Sequence, residues 1–177
     1  CLAITLFILT AYCSPAQGAD IARLKVEHSP EFRVSFFIKD AFTKEIEEAI
    51  KSGIPTSFTF IIKLYKKKTL WPDELVGSWK FDHTVRYDIL KETYEVSLAE
   101  KNLTEKVKDR EKMRLLMSTV DSMVISPTPV LKKGEVYELR IKAKLYTVKL
   151  PFLLKYVLFF LKFWDVETGW YVYRFSV

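Results

Sequence analysis

From Tyr137 to Tyr146 the chain reads YELRIKAKLY, with apolar and charged residues in strict alternation over most of its length. Tyr137, Leu139, Ile141, Ala143 and Leu145 fall on one side, and Glu138, Arg140, Lys142 and Lys144 on the other. Successive side chains of a strand point to opposite faces, so this stretch demands a sheet with one face buried and one face in water. A helix would scatter the same residues around its circumference. The constraint recurs. Phe32, Val34, Phe36 and Ile38 share a face in EFRVSFFIKD, and Phe58, Phe60, Ile62 and Leu64 share one in TSFTFIIKLY. In SWKFDHTVRYDI, Trp79, Phe81, Val85 and Tyr87 oppose Lys80, Asp82, Thr84 and Arg86, and a turn near Leu90 to Glu92 leads into ETYEVSLA as a hairpin. With IARLKVE at the front and WYVYRFSV at the end, about seven strands are expected.

Two helices interrupt them. TKEIEEAIKSG has Thr43 as its N-cap, apolar Ile46, Ala49 and Ile50, and Gly53 as a stop. LTEKVKDREKMRLLMSTV is expected to be a second helix, with Met113, Leu116, Met117 and Val120 on one stripe. Pro127 and Pro129 then force an extended connection. The pattern is that of a mainly β chain with two or three helices, an antiparallel two-layer β-sandwich-like single domain.

Residues 1–18 are expected to be a signal peptide lacking its basic start. CLAITLFILTA is the apolar segment, and Ala16 and Gly18 are the small residues before a cut at Ala19. Lipidation at Cys13 has bulky Tyr12 against it, and an uncleaved anchor is the other alternative. Both cysteines lie in this segment, so residues 19–177 form a thiol-free, β-rich periplasmic domain of ordinary size. All 28 Lys and Arg and all 22 Asp and Glu lie beyond the leader, so its charge of +6 favours anionic neighbours.

Catalytic signatures are sparse. His28 and His83 are the two histidines, without zinc-type spacing; no calcium loop is present, and five glycines provide no phosphate-cradling loop. No G-x-S-x-G elbow occurs, and the pairs Asp73–Glu74 and Asp165–Glu167 read as turn and capping residues. His83 falls on an apolar face as a core or edge histidine with one hydrogen bond, and His28 sits in a solvated turn. The expectation is a protein that is not an enzyme, with no cofactor, no metal and no nucleic-acid partner.

Two stretches carry the interaction candidates. Lys66, Lys67 and Lys68 follow Lys63 at the end of a strand, with Trp71 just beyond. They either guard an edge strand against aggregation or attract an anionic partner while Trp71 anchors at an interface. The second stretch, LPFLLKYVLFFLKFW at Leu150–Trp164, rises about 22 Å as a helix, short of the roughly 30 Å hydrocarbon core. Its Lys155 and Lys162 share one stripe, and either it packs on the sandwich or Phe159, Phe160 and Trp164 dip into a leaflet while the lysines snorkel. A membrane surface or membrane protein is therefore the expected partner. The alternative is a hydrophobic or glycan ligand held between sheet and helix by Tyr137, Tyr146, Tyr171 and Tyr173, its identity unspecified by these residues.

Four landmarks in order, SGIPTSFTFIIKLYKKKTLWPDE, VRYDILKETYEV, GEVYELRIKAKL and FWDVETGWYVY, resemble the domain of unknown function 4390 family. The resemblance implies an exported bacterial protein of one domain, periplasmic in a Gram-negative-type envelope, without assigned activity. It also implies an envelope-signalling partner such as a membrane sensor kinase.

Overall fold

The computed structural model describes residues 18–28, 31–125, 131–147 and 167–177. Residues 1–17 of the leader, Pro127 and Pro129, and the run holding Lys155, Phe159, Phe160, Lys162 and Trp164 lie outside the described residues.

The chain opens with a hairpin, β1 (Asp20–Glu27) and β2 (Arg33–Lys39). Helix α1 (Lys44–Lys51) then leads to a meander of β3 (Thr56–Lys66), β4 (Glu74–Asp88), β5 (Thr93–Leu98) and β6 (Leu103–Val107). A single 3₁₀ turn, Ala99–Lys101, joins β5 to β6. Helix α2 (Arg110–Ser118) passes directly into β7 (Thr119–Val124), and β8 (Val136–Thr147) and β9 (Tyr171–Ser176) follow. Strands β1-β2-β7 form one antiparallel layer, and β6-β5-β4-β3-β8-β9 form the other. This is the two-layer, mainly β architecture that the alternation demands.

The periodicity explains the layering. Phe58, Phe60, Ile62 and Leu64 of β3 are buried, as are Leu139, Ile141, Ala143 and Leu145 of β8, and Phe32, Val34, Phe36 and Ile38 face them from the β2 side. Phe36 meets the edge of Phe60 at 5.6 Å, which joins the layers, and Phe60 stacks on Phe81 at 5.1 Å. Apolar side chains of both layers and the two helices form one continuous core. Strand β3 lies between β4 and β8 and pairs with both along its whole length. It is therefore a central strand, and its lysines do not protect an edge.

Helix α1 begins where the Thr43 side chain accepts the Ile46 N–H at 3.4 Å. It ends in a Schellman motif: Ile54 N–H reaches Ala49 O, Gly53 N–H reaches Ile50 O, and Gly53 takes φ of +79°. The second helix is shorter than its periodicity suggests. Leu103–Val107 pairs with β5 and Thr119–Val124 with β2, so only Arg110–Ser118 is helical. Asp109 sets the start by accepting the Lys112 N–H at 2.6 Å, and strand pairing overrides local helix propensity on either side. Nine strands, rather than seven, result among the described residues. In β4, Gly77 is required because the Trp79 indole lies across it; an added Cβ would fall 2.2 Å from a ring carbon.

Candidate functional site

The β3–β4 hairpin places the first predicted cluster. Lys66 donates to Glu135 at 2.7 Å, Lys67 to Asp73 at 2.7 Å, and Lys68 contacts Glu74 at 2.8 Å. The hydrogen bonds from Lys67 and Lys68 hold the Asp73 and Glu74 carboxyls below the usual range. These three lysines are thus a fixed ionic collar and not loose cations. Beyond the collar, Leu70 is 89% exposed and Trp71 76%, with Leu75 and Val76 also exposed. Trp71 lies in the loop beyond the end of the β3–β4 hairpin, at one end of the six-stranded sheet.

A groove of about 450 Å³ opens beside the collar on the outer face of the six-stranded sheet. Lys63 and Tyr65 of β3, Glu138 and Arg140 of β8, and Trp170, Val172 and Arg174 line it. Register makes the juxtaposition: Tyr65 lies opposite Glu138 and Glu138 opposite Arg174, while Lys63 lies opposite Arg140 and Arg140 opposite Val172. Glu138 forms the floor, its side chain only 2% exposed. Arg140 Nε donates to its Oε1 and Arg174 Nε to its Oε2, each at 2.6 Å. Burial pushes the Glu138 carboxyl up, but the bonds from Arg174 and Arg140, with the charges of Arg140 and Lys67, outweigh it and hold it below the usual range.

The buried carboxylate orients two guanidiniums, that of Arg174 mostly in water and that of Arg140 half-buried. Arg140 lies over the Tyr65 ring at 4.4 Å, and the Arg174 side chain is 67% exposed. Lys63 and Lys142 approach the Trp170 ring at 5.5 and 5.8 Å. Glu167 takes Lys142 at 2.8 Å and Lys144 at 3.1 Å. Among the described residues, Lys63, Arg140 and Arg174 thus line the groove with one carboxylate, Glu138, and Lys142 and Lys144 flank it on Glu167. The arrangement suits an anion with its negative charge spread over several oxygens. Collar and groove are continuous, since Lys67 lies 3.9 Å from Glu138 and Arg140 lies 3.7 Å from Asp73.

Sequence reasoning names Trp71 and the three lysines, which the structure brings together at the end of the β3–β4 hairpin, and does not name Arg174, Trp170 and Glu138, which lie beside them. The available signal was the polar half of YELRIKAKLY, which puts Glu138, Arg140, Lys142 and Lys144 on one face. The tyrosines named for an enclosed ligand have diverse settings: Tyr137 is buried, stacks on Phe175 at 5.8 Å and accepts the Lys132 N–H, while Tyr173 is exposed.

A second polar group lies inside the core. His83 is fully buried, its Nε2 at 3.0 Å from Glu100 Oε2 and its Nδ1 at 3.2 Å from the Met117 carbonyl. The ring thus has two hydrogen-bond contacts where one was expected, and Phe60 packs against it edge-on at 4.7 Å. Burial raises the Glu100 carboxyl, but the His83 contact prevails and holds it low. Glu100 Oε1 has no partner among the described residues. This pair fastens the β5–β6 turn to the end of α2. His28 is exposed but not merely solvated, since it stacks on Phe175 at 4.7 Å and Phe32 at 5.6 Å.

Among the described residues no group of three or more His, Cys, Asp or Glu side chains is placed to hold a metal, and no helix is long and apolar enough to cross a membrane. No curated protein and no solved structure matches the chain. One family model matches nearly its whole length, residues 16–174, covering both layers and every groove residue. The chain therefore belongs to the family described as Domain of unknown function (DUF4390).

Proposed function

We propose that this protein is a non-enzymatic interaction module, exported to the periplasm, that docks on the anionic surface of a membrane through its β3–β4 hairpin tip. The observation carrying this reading is the exposure of Leu70 and Trp71, 89% and 76%, in the loop of a hairpin collared by lysines. Tryptophan suits the boundary between head groups and hydrocarbon, where its ring is dry and its N–H is wet. The collar pairs each lysine with a carboxylate and so fixes the base of the loop that carries Leu70 and Trp71. The leader-like residues 1–18 and the charge of +6 support the compartment and the sign of the surface.

The test is co-sedimentation of the full chain with vesicles of phosphatidylglycerol and phosphatidylcholine. Wild type is expected to sediment with the anionic vesicles and to release in high salt. Leu70→Ser with Trp71→Ala should remove most of that binding without changing the melting temperature, because neither side chain is packed. Equal sedimentation of the double variant would overturn the hairpin tip as the anchor, and a wild type that ignores anionic vesicles would overturn the docking reading itself.

A further inference from the structure

We infer that the groove bounded by β3, β8 and β9 seats the phosphate of an anionic lipid head group. This rests on the docking reading and adds a site to it. Three observations carry it.

The first is preorganisation. Arg140 and Arg174 come from adjacent strands and are held by one buried carboxylate, Arg174 through Nε alone and Arg140 through Nε and one terminal nitrogen, which also faces Asp73. A guanidinium bound at Nε has lost much of its rotamer freedom, so a phosphate meeting its outer N–H groups forgoes less entropy than one meeting a loose side chain. Arg174 keeps 67% of its side chain in solvent, and no carboxylate other than Glu138 lies against it among the described residues. The second is charge. Among the described residues that line the groove, three cations, Lys63, Arg140 and Arg174, meet one carboxylate, Glu138, with Asp73 reaching Arg140 only from the rim at 3.7 Å, and Lys63 touches a ring and no carboxylate. The third is place. The groove adjoins the collar of the apolar tip through Asp73 and Lys67, so an inserted Trp71 would bring lipid head groups toward Arg140. A soluble phosphate would use the same donors but would have no use for the tip; that continuity selects the lipid as the source.

The deciding experiment measures binding of the full chain to phosphatidylglycerol and phosphatidylcholine vesicles, alongside titration with glycerol phosphate read at the arginine Nε–H resonances by NMR. Arg140→Gln with Arg174→Gln should weaken binding to phosphatidylglycerol by ~30-fold, at roughly a decade or less for each surface arginine, and leave the weak phosphatidylcholine binding unchanged. Arg174→Lys keeps the charge and loses the fork; it should retain the salt dependence yet lose part of the preference for phosphatidylglycerol. The melting temperature of each variant identifies any that fail to fold, and Arg174→Lys then stands as the test.

If both arginine variants bind phosphatidylglycerol as wild type does, while the Leu70→Ser, Trp71→Ala variant does not, the groove is overturned and the docking reading survives. If wild type binds glycerol phosphate in the groove but no vesicle, the lipid as occupant is overturned together with docking. Loss of phosphatidylglycerol preference in the double arginine variant, with shifted Nε–H resonances in wild type alone, supports the site.

Discussion

Glu138 and Glu100 are equally hidden, their side chains 2% and 3% exposed, and both carboxyls are held below the usual range. Their partners differ. Glu138 is held by two arginines, always charged, at the floor of an open groove, with Arg174 mostly in water and Arg140 partly so. Glu100 is held by one fully buried imidazole, itself wedged against Phe60 and a backbone carbonyl. The first carboxylate organises a surface, and the second closes an interior. Burial of a charge thus has two uses in one sheet. The chemistry of the counter-group, and not the depth of the acid, separates them.

The sharpest break of that contrast is His83→Ala. It strands Glu100 without its partner and leaves a void beside Phe60, and we expect a loss of about 3–5 kcal/mol in urea unfolding. A loss below about 1 kcal/mol would mean the pair is not a fastening and would remove the distinction. Glu138→Ala should cost less, about 1–3 kcal/mol, because both released guanidiniums can rehydrate. Equal costs for the two variants would show that depth alone matters. Glu100→Gln is smaller again, about 0.5–1.5 kcal/mol: the amide oxygen still reaches His83 Nε2, and what is lost is the charge on that acceptor.

Acid titration refines the comparison further. Because folding lowers the Glu138 pKa, its contribution is complete above the ordinary value of 4.5 and disappears as pH falls through the lower folded value. The stability difference between wild type and Glu138→Gln should therefore be constant near neutrality and shrink toward pH 3. A difference that grows on acidification would contradict the assigned direction.

The alternating strands are legible because a period of two needs no partner to be recognised: β2, β3, β4, β8 and β9 all follow their apolar faces. What escapes is whatever depends on pairing. That β3 is central and not an edge is set by β8, which is distant in sequence. The groove requires knowing that Glu138 stands opposite both Tyr65 and Arg174, a register fixed by long-range ladders. The same cause hides β6 and β7. Their residues suit a helix locally, and only the neighbours β5 and β2 draw them into sheets. The exposure of Trp71 was legible since a tryptophan beyond a lysine run, at a strand end, needs no distant partner to be noticed.

The hairpin that carries Trp71 has a mechanical property. Strands β3 and β4 are bonded from Thr56 opposite Val85 out to Lys66 opposite Glu74, and β8 reinforces β3 over the same span. A pull on the tip runs along the strands and perpendicular to their hydrogen bonds, so the whole ladder is sheared together and no single rung is peeled first. Traction applied there is shared between the two ladders that flank β3, across the centre of the sheet.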